Sequence, residues 1–228
     1  MQGQLRLTGG RKLVSPKGSL TRPTSARVRE AVMNILAPQL PGCRWLDLCS
    51  GSGVMGCEAL QRGARSIVAI ERDSRSAKLC ERNLLDTKQG CNSEAAVKVL
   101  REDVLSWLKR GCNSSGFDVV YLDPPYQSGL YQPVLSLLSD QQWLTSESTV
   151  VCEHASAEGL DPSGDWITLS RRHYGTTSLL FLNRPERFPH DGTDSKPLQT
   201  TPKVSRESDQ ERSHTEEVRS SRHTWMED

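Results

Sequence analysis

The sequence predicts an α/β domain: a doubly wound, mostly parallel sheet closed by a C-terminal antiparallel hairpin. Three observations carry this reading. Short apolar runs of strand character alternate with segments of helical periodicity through the middle of the 228-residue chain. A glycine-rich turn, Cys49-Ser50-Gly51-Ser52-Gly53, joins the first such run to a helix-like segment. Four acids, Asp47, Glu71, Asp103 and Asp123, end or follow four successive runs. In an open parallel sheet those ends form one rim, where ligands bind.

Taken in order, residues 4–7 form a short strand before the turn at Gly9-Gly10. Residues 24–37 then carry Val28, Ala31, Val32, Ile35 and Leu36 on one helical face, with Thr24 or Ser25 as N-cap and Arg27 and Glu30 projecting elsewhere. Pro38 and Pro41 end that helix. Residues 44–48 read as a strand, the glycine turn follows, and residues 54–62 read as a helix. The pattern repeats as a strand at 66–71, a helix at 75–86, a strand at 97–100 and a short helix at 104–109. A buried strand at 117–122 is halted by Pro124 and Pro125. A helix at 130–138, a fifth strand at 149–153 and a hairpin of 166–172 with 177–182 complete the domain.

Composition divides the chain into three parts. Residues 1–41 are a basic arm and helix, in which Arg6, Arg11, Lys12, Lys17, Arg22, Arg27 and Arg29 face the single acid Glu30 up to position 30. Such a cluster suits phosphate backbones and equally suits a solvated basic face. Residues 42–185 are the folded body. Residues 186–228 hold few large apolar side chains among Ser, Thr, Pro, Glu and Arg, and are expected to stay disordered because they bury too little to offset ordering entropy. The seven cysteines include no Cys-x-x-Cys pair and no histidine at ligand spacing, which argues against a disulfide framework or a zinc site and for a reducing compartment. No signal region opens the chain and no apolar run approaches eighteen residues, so a cytoplasmic protein without a membrane span is expected.

Chemistry concentrates at Asp123-Pro124-Pro125-Tyr126. Both proline nitrogens lack hydrogen, so the corner is rich in acceptors, stiff and closed by an aromatic face. A planar nucleobase amine fits it, with hydrogens donated to the Asp123 carboxylate and the Pro124 carbonyl while Tyr126 stacks on the ring. The glycine turn formally satisfies a dinucleotide fingerprint with Glu71 beyond it, so a nicotinamide-dependent oxidoreductase has to be weighed. Asp47 beside the turn disfavours a pyrophosphate, and the proline corner has no role in hydride transfer. An acidic rim is better matched to a cationic cofactor carrying a ribose.

The run from Leu46 through Gly51-Ser52-Gly53 to Ala64, preceded by Arg22-Pro23-Thr24 and Arg27-Val28-Arg29-Glu30-Ala31 and followed by Leu122-Asp123-Pro124-Pro125-Tyr126, resembles the bacterial 16S rRNA guanine-N2 methyltransferases of the guanine-966 type. The resemblance spans about residues 3–184. It implies a Rossmann-like methyltransferase fold, S-adenosylmethionine as methyl donor, and 16S rRNA as partner, within the small subunit or an assembly intermediate. It further implies that Glu71 holds the cofactor ribose, that Asp103 and Val104 meet the adenine, and that Asp123 to Tyr126 hold the guanine. Asp47, Ser50, Gly51, Gly53 and Arg72 complete the expected cofactor set, and Arg22, Thr24, Arg27 and Arg29 the expected RNA contacts. No metal is required, and a monomer is expected. Two rival classes stay open: an amino-methyltransferase for another RNA or DNA base, of the adenine-N6 type, and a non-catalytic RNA-binding assembly factor.

Overall fold

The computed structural model describes residues 5–15, 24–113, 115–125 and 127–184. Arg22, Tyr126 and the segment 186–228 expected to be disordered lie outside the described residues. Seven strands form one sheet: β1 (Arg44–Leu48), β2 (Ser66–Glu71), β3 (Ala96–Arg101), β4 (Phe117–Leu122), β5 (Leu144–Ala155), β6 (Ile167–Tyr174) and β7 (Thr177–Asn183). Their order is β3-β2-β1-β4-β5-β7-β6. The first five pair in parallel, and β7 and β6 close the sheet antiparallel. The chain reverses its direction of travel across the sheet between β3 and β4, which puts a crevice beside the carboxyl ends of β1 and β4.

Helices α1 (Ala26–Ile35), α2 (Val54–Gln61), α3 (Ser74–Gly90), α4 (Val104–Leu108) and α5 (Tyr131–Asp140) cover both faces. Alternation along the strands splits the core in two. Trp45, Ile67, Val119, Tyr121, Val151 and Phe181 pack on the side of α1, α2 and α3. Leu46, Leu48, Ile70, Val120, Leu122 and Val150 pack on the side of α4 and α5. A parallel sheet covered on both faces is what near-continuous apolar strands require.

Three elements differ from the sequence reading. In α1, Ile35 is 39% exposed, and the buried face is Val28, Arg29, Val32, Met33 and Leu36. The helix is turned toward Arg29 because a buried acid on α2 receives that guanidinium. Helix α3 runs on to Gly90, since Asn83 and Thr87 are buried polar residues that a purely apolar stripe does not count. Strand β5 begins five residues earlier than expected, at Leu144, and a register shift opposite Phe117 and Val119 accommodates its polar first half. There the Ser148 hydroxyl donates to the Phe117 carbonyl (2.5 Å) and accepts from the Thr145 amide (2.7 Å).

The described part of the arm joins the same core as the sheet. Leu5, Leu7 and Leu13 are buried with Val28, Val32 and Met33. Only a single bridge, Arg6 with Lys12, stands where a strand was expected, around Gly9 and Gly10 at φ 93° and 89°. Polar clamps hold the arm on the helices: the Asn83 side chain accepts from the Val14 amide (2.9 Å) and donates to the Val14 carbonyl (3.1 Å).

Candidate active site

The glycine turn leaves β1 through three left-handed positions, Cys49, Gly51 and Gly53, at φ 62°, 53° and 72°. At Gly53 a side chain is excluded twice over: the backbone is left-handed, and a Cβ would lie 2.6 Å from the Cys80 sulfur. The turn is wired to its neighbours. The Ser50 amide donates to the Ile70 carbonyl (3.1 Å), the Gly51 amide to Glu71 Oε2 (2.9 Å), and the Asn83 side chain to the Ser52 carbonyl (3.0 Å). Glu71 Oε1 takes the Asp73 amide (2.8 Å). A carboxylate offers about four lone-pair sites, so both Glu71 oxygens retain acceptor capacity for hydroxyl donors.

The remaining acids stand beside it. Asp103 caps α4, accepting from the Ser106 amide at 3.0 Å, and that bond holds its carboxyl below the usual range, with a smaller contribution from the Arg72 guanidinium nearby. Asp47 points to the α2 face and is fully enclosed. Burial pushes its carboxyl up to about 7, against a hydrogen bond from the Gly56 amide, and Glu71 adds to the rise. Its Oδ2 has no hydrogen-bond partner among the described residues. Asp123 leaves β4 with its amide donating to the Leu48 carbonyl at 3.4 Å. Its carboxyl is raised well above the ordinary value by burial, then by Glu153 and Asp47, and the Thr24 hydroxyl opposes that rise.

Cys49 reports the convergence of these groups. Its thiol is pushed up to about 12 by burial and then by Glu71, Asp123, Asp47 and Asp103 together. The four acids of the predicted rim thus all bear on one loop residue, and an acidic rim of this kind favours a cation. The residues present fit S-adenosylmethionine: a carboxyl oxygen without a partner at Asp47, acceptors for ribose hydroxyls at Glu71, and left-handed glycines that let the backbone approach a ligand. Among the described residues no group of three or more His, Cys, Asp or Glu is placed to hold a metal.

Residues 3–183 match the family model described as conserved hypothetical protein 95. The ribosomal RNA small subunit methyltransferase D of Haemophilus influenzae is 34% identical over 181 residues, 78% of this chain and 92% of that protein. The chain belongs to this methyltransferase D family. The family's Escherichia coli K12 protein of the same name is 35% identical over 162 residues, 69% of this chain and 78% of its own length. The solved structure of Escherichia coli yhhF superposes with a TM-score of 0.68 at 32% identity, covering 81% of this chain and 100% of that one.

Within this family frame, the structure brings Asp47, Ser50, Gly51, Gly53, Glu71, Arg72, Asp103 and Val104 to one end of the sheet, beside Asp123, Pro124 and Pro125. Arg27 is exposed on α1, its guanidinium 5.8 Å from the centre of the Tyr174 ring. Arg29 requires a correction. It was expected to contact RNA, yet it is 5% exposed, donating to the Thr24 carbonyl (2.7 Å) and the Arg6 carbonyl (2.5 Å) and pairing with Glu58 at 3.4 Å. Thr24, placed in the same expected set, is buried as well.

Sequence reasoning missed two acids. Glu58 is fully buried and is met by Arg29, by Arg62 at 2.7 Å and by the Thr8 amide at 2.9 Å. Glu153 lies behind Asp123, where it accepts from the Tyr121 hydroxyl while its own carbonyl accepts from the Tyr131 hydroxyl at 2.6 Å. The signal for Glu153 was present: it is the acid of a fifth parallel strand, continuing the series of the other four. For Glu58 the signal was weaker, a single acid within the apolar start of α2.

Proposed function

We propose that this chain transfers a methyl group from S-adenosylmethionine to the exocyclic N2 of a guanine in 16S rRNA. The observation that carries the reading is that Asp103, Glu71, Asp47 and Asp123 stand at the carboxyl ends of the adjacent parallel strands β3, β2, β1 and β4, around the glycine turn and next to Pro124 and Pro125. Membership of a family whose members are named for small-subunit rRNA methylation supports the substrate class.

When bound, the cofactor supplies a methyl on a positively charged sulfur. Asp47, Glu71 and the amides of the glycine turn are the groups that would hold it, with Asp103 and Val104 on the adenine side. Guanine N2 is a poor nucleophile because its lone pair is spread into the ring, so orientation supplies much of the acceleration. Asp123 and the Pro124 carbonyl accept the two amine hydrogens and fix the direction of the lone pair. Those hydrogen bonds strengthen as positive charge grows on nitrogen, which is stabilisation specific to the transition state. The proton that N2 then sheds passes to Asp123. Burial, and then Glu153 and Asp47, make this carboxylate bind a proton more tightly than an exposed one, which suits that role. The Arg27 side of α1 and the arm are proposed to meet RNA, with a single chain acting on the small subunit or its assembly intermediate in the cytoplasm. No helix among the described residues is long and apolar enough to cross a membrane.

The test uses labelled S-adenosylmethionine, purified protein and undermethylated small-subunit rRNA, with the product digested to nucleosides. Label is expected in N2-methylguanosine, and Asp123→Asn is expected to lower single-turnover transfer by about a hundredfold or more while cofactor binding persists. Label in N6-methyladenosine, or none at all, would overturn the assignment.

A further inference from the structure

We infer that Arg27 on α1 and Arg172 on β6, joined through Tyr174, clamp the phosphate backbone of the RNA strand that leads into the Asp123 corner. The inference rests on the proposed activity on RNA. Strand β6 is an outer edge of the sheet, and pairing across the sheet brings it level with the corner. Leu122 stands opposite Cys152, so the next residues, Asp123 and Glu153, share a row; Glu153 stands opposite Leu179, and Leu179 opposite Arg172. Three strand spacings put Arg172 about 14 Å from Asp123 along that row, a span that a few nucleotides of single strand cover.

Leu179 belongs to the core on the side of α1, so Arg172 opposite it and Tyr174 two residues on lie on that same side of the sheet. Tyr174 packs against this core and holds the Arg27 guanidinium over its ring, 5.8 Å from the centre. Arg27 and Arg172 are both exposed, and among the described residues neither enters an ion pair. Two uncommitted cations on one side of the sheet repel each other until an anion joins them, which makes the surface complementary to phosphate. A guanidinium over an aromatic ring uses its flat face there and keeps its N–H edge for a phosphate. The ring also restrains a long side chain that would otherwise lose its freedom on binding. Arginine on an edge strand can equally serve to block pairing with another chain, a role with a different outcome in the test.

The experiment measures the affinity of the full chain for a small-subunit rRNA fragment across a salt series. S-adenosylmethionine affinity, thermal midpoint, sedimentation and single-turnover transfer at saturating RNA are followed alongside. Arg27→Ala and Arg172→Ala are each expected to bind RNA about three- to tenfold more weakly and to flatten the slope of log affinity against log salt by about 0.7, the counterion release of one single-stranded phosphate. Cofactor affinity, midpoint and saturated transfer rate should stay near native. Lys98→Ala removes an equal exposed charge from β3, the opposite edge of the sheet, and should leave affinity and slope unchanged. Tyr174→Leu should weaken binding in the native chain and add nothing in Arg27→Ala, because the ring acts through that guanidinium. Native affinity and slope in both arginine variants would overturn the inference, as would an equal loss in Lys98→Ala. An Arg172→Ala protein that self-associates yet binds RNA normally would make the residue an edge guard and overturn it too. Each of these results, beside a native chain that methylates the guanine, discards the clamp alone. A native chain that neither binds nor methylates the RNA would end the proposed function together with the clamp.

Discussion

Replacing Arg29 by Ala should unfold the domain more readily without first affecting RNA. The guanidinium makes two hydrogen bonds to carbonyls, at 2.7 and 2.5 Å, and one ion pair at 3.4 Å with an acid that has no exposed surface. Removing one partner of a buried pair costs about 3 to 5 kcal/mol, because the charge left behind keeps its desolvation penalty. Arg62 still pairs with Glu58 at 2.7 Å and Thr8 still donates to it, which places the loss toward the lower figure. In a domain of this size about 3 kcal/mol lowers Tm by roughly 6 to 12 °C. Arg27→Ala is the control: it removes an exposed contact with Tyr174 worth about 0.5 to 1 kcal/mol. Thermal and urea unfolding give the stabilities, and the slope of RNA affinity against salt shows how many phosphates each variant still neutralises. An Arg29→Ala protein with native Tm and a flattened salt dependence would refute the burial argument and return Arg29 to the RNA face.

Two further predictions concern the acids of the rim. Because burial lifts the folded Asp47 carboxyl from 3.8 to about 7, the folded protein holds a proton between those values that the unfolded chain has released. Stability attributable to Asp47 should therefore fall as pH rises through that window, by up to about 4 kcal/mol, and level off above about 7. The difference between wild-type and Asp47→Asn urea midpoints, followed from pH 4 to 8, should show this slope; parallel curves would contradict it. Glu71→Ala should weaken S-adenosylmethionine binding by about 1 to 3 kcal/mol through lost charge-assisted hydrogen bonds, read by calorimetry without added metal. Unchanged affinity would remove Glu71 from the cofactor site.

Strand β4 and the strands at 44–48 and 66–71 were legible to the residue, because unbroken apolar runs bounded by glycines, prolines or acids have one reading in a covered parallel sheet. The rim acids were legible for the same reason: a strand's carboxyl end is fixed by the strand. The phase of α1 was not. Its apolar stripe admits two rotations, and the choice is made by Glu58, which the periodicity of residues 24–37 cannot contain. Thr24 was placed among the RNA contacts for a related reason, since the periodicity does not show that it is buried with its carbonyl taken by the turned-in Arg29. Contacts between elements far apart in the chain belong to topology, and the one-dimensional pattern carries no trace of them.

The clamps on the arm close long stretches of chain: Thr8 with Glu58 spans 50 residues, and Val14 with Asn83 spans 69. During synthesis from the N-terminus, residues 5–15 exist well before α2 and α3, so their polar groups have only water and one another to bond. Loop closure over such separations is entropically disfavoured until the helices already stand on the sheet. Docking of the arm is then expected late in folding; where it follows the rate-limiting step, it leaves the folding rate nearly untouched and acts on the rate of unfolding. The Glu58 cluster is in this sense a kinetic fastener, one that lengthens the lifetime of the native state more than it hastens its arrival.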